Sequence, residues 1–202
     1  MVLVFTLALT GIAIVSARLA LLGESAARNQ LDLQVARQAA EAALRDAEKD
    51  LLIADGALTF PGAVCQRNLA DRLERPVMNQ LSQFSPECIR GQCAVNAAER
   101  RNVDYTRGAT SSKLAEAWWP EDRGGRWGAP EENKPSAGNP AACANFTGGI
   151  PLGVFTGARP IEGVAWQPEY LIERIRRGDA YYFRITARGF GYREGTEVVL
   201  QS

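Results

Sequence analysis

MVLVFTLALTGIAIVSARLALLG, residues 1–23, carries a single charged side chain, Arg18, in an otherwise almost wholly apolar run. Coiled as a helix, it spans roughly 30–35 Å, the thickness of a bilayer's hydrocarbon core. A helix buried inside its own protein is seldom apolar on every side for so long. A cleavable secretory signal shows a basic head, a shorter apolar run and a small-x-small cleavage site. In this chain no basic residue precedes the run, and the run continues without a break into helix-forming sequence. The stretch therefore predicts a transmembrane segment over residues 1–23.

Working outward, residues 24–56 read ESAARNQLDLQVARQAAEAALRDAEKDLLIADG, rich in Ala, Leu, Glu, Arg and Gln. These are strong helix formers. No proline occurs before Pro61, and Gly11 and Gly23 are the only glycines before Gly56. One continuous helix from Met1 to about Ala54 follows, roughly 80 Å long. Ala36, Ala40, Ala43, Ala47 and Leu51 recur at helical spacing and form one apolar stripe. Glu41 and Arg45 sit four apart in the favourable order, whereas Arg45 and Lys49 repel mildly. The stripe must cover something, which predicts three parts: a membrane half-helix (1–23), an amphipathic half-helix (24–54) and a globular body (55–202).

Within the body, DGALTFPG reads as the helix exit, with Gly56 placed to cap and Pro61 unable to continue. NLADRLER, before Pro76, and SSKLAEAWW, from a Ser cap, suggest short helices. Residues 117–143 are irregular and combine Trp118, Trp119 and Trp127 with many glycines and prolines. The tryptophans admit two readings, a partner-binding loop or pins that hold the loop to the core. The β signal is clearest in AYYFRITAR, where Tyr181, Phe183, Ile185 and Ala187 alternate with Tyr182, Arg184, Thr186 and Arg188. Phe183 and Ile185 are predicted to face the helix and the arginines to face out. GFGYREG supplies a reversal and TEVVLQ a returning strand, while PEYLIERIR fits a strand or a helix.

Composition excludes more than it assigns. Twenty-three basic and 23 acidic residues give zero formal charge, so nothing draws the chain to nucleic acid. No histidine is present, which removes the commonest general base and the Ser–His and Cys–His nucleophile pairs. No catalytic motif, metal site or cofactor site is predicted. Cys65, Cys88, Cys93 and Cys143 all follow the apolar segment and so share one side of a membrane. An all-thiolate zinc site is one use for them, although C-x4-C is loose for a zinc knuckle; two disulfides on an oxidising face are the other. Three connectivities are open. Gly91 permits the reversal that a local Cys88–Cys93 link requires, which would leave Cys65 with Cys143 to staple a long loop.

The order of parts resembles a type IV pilin. VARQAAEAALRDAE (Val35–Glu48) resembles the corresponding segment of PilX-type minor pilins, YYFRITARGFGYREGTEVVLQS (Tyr181–Ser202) is similar to that family's closing hairpin, and CIRGQC (Cys88–Cys93) to a cysteine pair common in it. Residues from Ala97 to Pro160 contribute nothing to the likeness. The resemblance implies an α+β type IV pilin fold: a long N-terminal helix, its front half spanning the membrane, packed on a C-terminal antiparallel sheet. It also makes PEYLIERIR the first of three strands.

The likeness carries further implications. Met1 would be the mature first residue, N-methylated after a dedicated peptidase removes a basic leader; a plain initiator methionine is the other reading. Most pilins have glutamate at mature position five, where this chain has Phe5. That carboxylate pairs with the ammonium of the subunit ahead, so an apolar residue suits a tip subunit; mere tolerance by lipid is the alternative. Ala8, Gly11, Ala13 and Ala17 would allow close helix approach in a pilus core. Arg18 and Glu24 flank the membrane exit, as interfacial anchors or as an ion pair in the packed core. The implied partners are other minor pilins, the major pilin, a PilY-type tip adhesin and, before assembly, inner-membrane lipid. The implied location is a single pass in the inner membrane with a periplasmic body, then the extracellular pilus tip. A type II secretion tip pseudopilin and a membrane-anchored ligand-binding module are the competing functions.

Overall fold

The structure is a computed structural model that describes residues 1–54, 60–67, 84–94, 116–130, 134–177 and 180–202. Helix α1 runs unbroken over Val2–Ala54. Every described side chain from Met1 to Leu31 is exposed. The segment is long and apolar enough to cross a bilayer, and none of its most apolar window is buried in the chain's own body. That exposure disposes of the buried-core alternative. From Asp32 onward one side of the helix is covered, and Ala36, Ala39, Ala40, Ala43 and Ala47 are buried.

What they pack against is one sheet. Its strands are β1 (Gln92–Ala94), β2 (Ile150–Pro151), β3 (Glu169–Arg177), β4 (Ala180–Phe190) and β5 (Glu197–Gln201), in the order β1-β3-β4-β5 with β2 also on β3. Strands β3, β4 and β5 form the expected antiparallel meander, with Ile172 opposite Ile185 and Ala187 opposite both Tyr170 and Leu200. The sheet is nevertheless mixed, because β1 runs parallel to β3 with Gln92 beside Ile172. Three residues next to a disulfide carry no periodic signal, so this addition was invisible in the sequence.

Strand β4 lies against the helix along small residues. Ile185, Ala187 and Gly189 alternate onto the helix side, and the row ends at Gly191. A Cβ on Gly189 would stand 2.2 Å from the Ala36 carbonyl and the Ala40 nitrogen, and one on Gly191 would stand 2.2 Å from Asp32. Alanine on the helix and glycine on the strand thus let the two backbones approach. Gly189 and Phe190 belong to the strand and not to the reversal predicted for them; the turn is confined to residues 191–196. Phe84, Phe146, Ile150, Phe155, Tyr170 and Ile172 complete the core on this side.

The other face of the sheet corrects a second expectation. Arg184 and Arg188 do point away from the helix, yet Arg188 is buried and Arg184 is largely covered. They stand directly opposite Glu173 and Glu169 on β3, and the segment 116–130 reaches over them: Arg184 bonds Glu116 at 2.6 Å and Arg188 bonds the Gly128 carbonyl at 2.8 Å. The helix expected over Ser111–Trp119 is a turn in its described part, with the Trp119 N–H donating to the Glu116 carbonyl. The helix expected at Asn68–Arg75 and the Gly56 cap lie outside the described residues.

Candidate functional site

The apolar half of α1 presents its whole circumference. Phe5 is 67% exposed. Nothing lies within 4 Å of the position a Cβ would take on Gly11. At about 100° per residue, Ala13 and Ala17 share one side of the helix while Gly11 falls nearly opposite. The small residues therefore fall on two sides of the helix and not one. Ala8 is helical, but its side chain lies outside the described set. Glu24 takes Arg28, one turn further on, as its ion-pair partner at 2.5 Å; among the described residues Arg18 has no ion pair. Met1 is exposed at the helix start.

The amphipathic half is fastened to the body by carboxylates that share the alanine stripe. Asp50 accepts two hydrogen bonds from Arg67 and one from the Tyr170 hydroxyl at 2.9 Å, with all three residues buried. Burial, followed by the charge of Asp50, pushes the Tyr170 hydroxyl well above its ordinary pKa. Asp46 accepts the Gly153 N–H at 2.8 Å and the Thr156 hydroxyl. Burial holds its pKa above the usual carboxylate range despite those two bonds. Asp32, near the membrane end, accepts from Thr196 and Tyr192, and the Thr196 bond leads the causes that lower its pKa. Sequence reading passed over these three. The signal was there: Asp46 lies three residues from Ala43 and Asp50 three from Ala47, on the face that had to be covered.

Behind the sheet, Lys134 is buried and donates to the carbonyls of Trp127 and Gly149, both at 2.8 Å, with Glu169 at 3.3 Å. Burial lowers the Lys134 pKa and raises that of Glu169, against which Lys134 and Arg188 pull it down. Trp127 is 1% exposed; it packs with Leu171, Cys88 and Cys93 and donates its indole N–H to the Trp118 carbonyl. Trp127 therefore ties the loop to the sheet. Trp118 and Trp119 are half-buried and meet edge to face, 6.4 Å between centroids. Disulfides join Cys65 to Cys143 and Cys88 to Cys93, which leaves no thiolate for zinc.

A family model described as type IV pilus assembly protein PilX C-term matches residues 90–202. The match takes in the entire sheet, the Trp127 strap and the closing turn. The chain belongs to the PilX type IV pilus assembly family. No curated protein and no solved structure matches it.

A PilX chain is a minor pilin, a structural subunit associated with other pilus components, and the two halves of the site fit that work. The matched body is rigidly joined to α1 by Asp32, Asp46 and Asp50, while the apolar half, outside the matched residues, remains free for membrane anchoring and pilus packing. The buried pairs hold orientation more than they add net stability, since desolvating each charge offsets most of the attraction gained.

Proposed function

We propose that this PilX-family chain helps to initiate type IV pilus assembly and sits at or near the pilus tip, linking other minor pilins and the major pilin to a PilY-type adhesin. The supporting observation is the fully exposed apolar half-helix with Phe5 near its start. Before assembly this surface rests in the inner membrane; afterwards sibling helices replace lipid, so it never meets water. The two opposed small-residue faces allow neighbours on both sides. At position five a glutamate with no subunit ahead would be an uncompensated charge in an apolar core. Phenylalanine carries no such cost. Two disulfides favour a body on the oxidising, periplasmic side. Met1 is the proposed site of N-methylation.

Deleting the gene tests this reading. Surface pili and twitching are expected to fall while protein secretion continues. Lost secretion with intact pili would instead favour a type II pseudopilin. Complementation with Phe5→Glu is expected to give no gain in incorporation; a variant found along the shaft would mean that Phe5 acts by exclusion and not by relieving a charge.

A further inference from the structure

The sheet descends toward the bilayer end of α1, and its last turn is locked to the helix there. One oxygen of buried Asp32 accepts the Tyr192 N–H at 2.5 Å and the other the Thr196 hydroxyl at 2.6 Å. Arg193 lies 3.7 Å from the same carboxylate and donates to the Asn29 side chain at 3.2 Å. Asn29 is only six residues beyond Gly23, roughly 9 Å along the axis. The headgroup layer flanking the hydrocarbon is itself about 5–8 Å deep. Whenever α1 spans a membrane, the turn therefore stands at the outer edge of the headgroup layer, within reach of the phosphates for a long side chain directed toward the bilayer.

Two side chains at this level remain open. Tyr192 is 55% exposed and the Arg193 side chain 62%. An aromatic ring with a polar tip suits the membrane–water interface. A guanidinium on a long stem reaches toward phosphate and matches its geometry. Glu194 follows Arg193 directly, and Glu24 offsets Arg28. The turn consequently has no net positive charge, and its attraction is to the phosphate group itself, not to a membrane's excess negative charge.

We infer that residues 191–196 form a membrane foot. Before assembly, Tyr192 and Arg193 rest among lipid phosphates and give the body a second point of attachment beside the helix. The inference rests on the membrane-anchored reading of α1. Entering a filament then requires release of this foot as well as sideways movement of the helix.

Tyr182 provides an internal control. It is also 55% exposed but stands at the opposite end of β4, roughly 30 Å away. The full chain, labelled with fluorotyrosine, is placed in nanodiscs of phosphatidylethanolamine and phosphatidylglycerol, with signals assigned by Tyr192→Phe and Tyr182→Phe. A lipid bearing a gadolinium chelate on its headgroup is then added. The Tyr192 fluorine signal is expected to broaden beyond detection while Tyr182 keeps its linewidth. Arg193→Ala should restore part of the Tyr192 signal, and the loss should persist when phosphatidylcholine replaces phosphatidylglycerol. Equal broadening of both tyrosines, or a sharp Tyr192, overturns the foot. So does Tyr192 broadening that follows the number of chains per disc and not the labelled lipid, which would assign the turn to a second copy. A chain that fails to co-migrate with nanodiscs would contradict the membrane anchor itself, a separate failure visible before any spectrum is recorded.

Discussion

Gly189 and the three aspartates of α1 show how much of this fold is decided by single residues. A methyl group at Gly189 would collide with helix backbone, which cannot swing aside as a flexible side chain would. Gly189→Ala is expected to cost about 1–3 kcal/mol, the range of an overpacked core. Gly195→Ala, in the open part of the turn with nothing within 4 Å, should change stability by less than about 0.5 kcal/mol. Denaturant unfolding of the two variants in detergent checks the contrast. The aspartates divide by pH. Both Asp46 and Asp32 start from an ordinary pKa of 3.8, and Asp46 is raised in the folded chain while Asp32 is lowered. The stability linked to Asp46 is therefore complete below 3.8 and drains away as pH rises through its raised value. That linked to Asp32 is present above 3.8 and is lost as pH falls through its lowered value. Denaturation midpoints from about pH 3 to about pH 7 should show Asp46→Asn flattening the profile above 3.8 and Asp32→Asn flattening it below. Identical effects from both variants would contradict the assignment.

At the scale of elements, legibility followed locality. The limits of α1 could be read because alanine spacing, the absence of proline and the long apolar run all act within a few turns. Strands β4 and β5 were legible for the same reason, through period-two alternation and a glycine-rich turn, whereas β3 fitted strand or helix and became a strand only through the family resemblance. What escaped were pairings between distant segments: β1 beside β3, Lys134 beside Glu169, Arg67 on Asp50. No local pattern announces a partner 17 to 120 residues away, the separations from Asp50 to Arg67 and to Tyr170. The arginines of β4 looked solvent-facing because charge usually means exposure; the irregular strap that covers them has no period to read. The disulfides belong to this scale too. Cys65–Cys143 closes a separation of 78 residues and Cys88–Cys93 one of 5. Loop-closure entropy then predicts losses of about 4.5 kcal/mol and about 2 kcal/mol respectively when each pair is replaced by serine. Guanidine unfolding of the two double variants tests the order. A larger loss from the short loop would show that its contacts with Trp127 outweigh chain entropy.

The whole molecule is a rod with its cargo fixed to one half. Three aspartates and an alanine seam make the rear of α1 part of the body, so any force or displacement applied to the front is passed directly to the sheet. Among the described residues the front half has no partner in its own chain. Its surface is satisfied only by lipid or by other helices, and membrane anchoring and pilus association are two uses of one surface. The most direct measurement is photo-crosslinking from position 5, with benzoylphenylalanine in place of Phe5, in cells that assemble pili. The account predicts lipid adducts in membranes and, in sheared pili, adducts with the N-terminal helix of another pilin. Adducts to this chain's own body, or pili free of any adduct while the protein remains in the membrane, would contradict it.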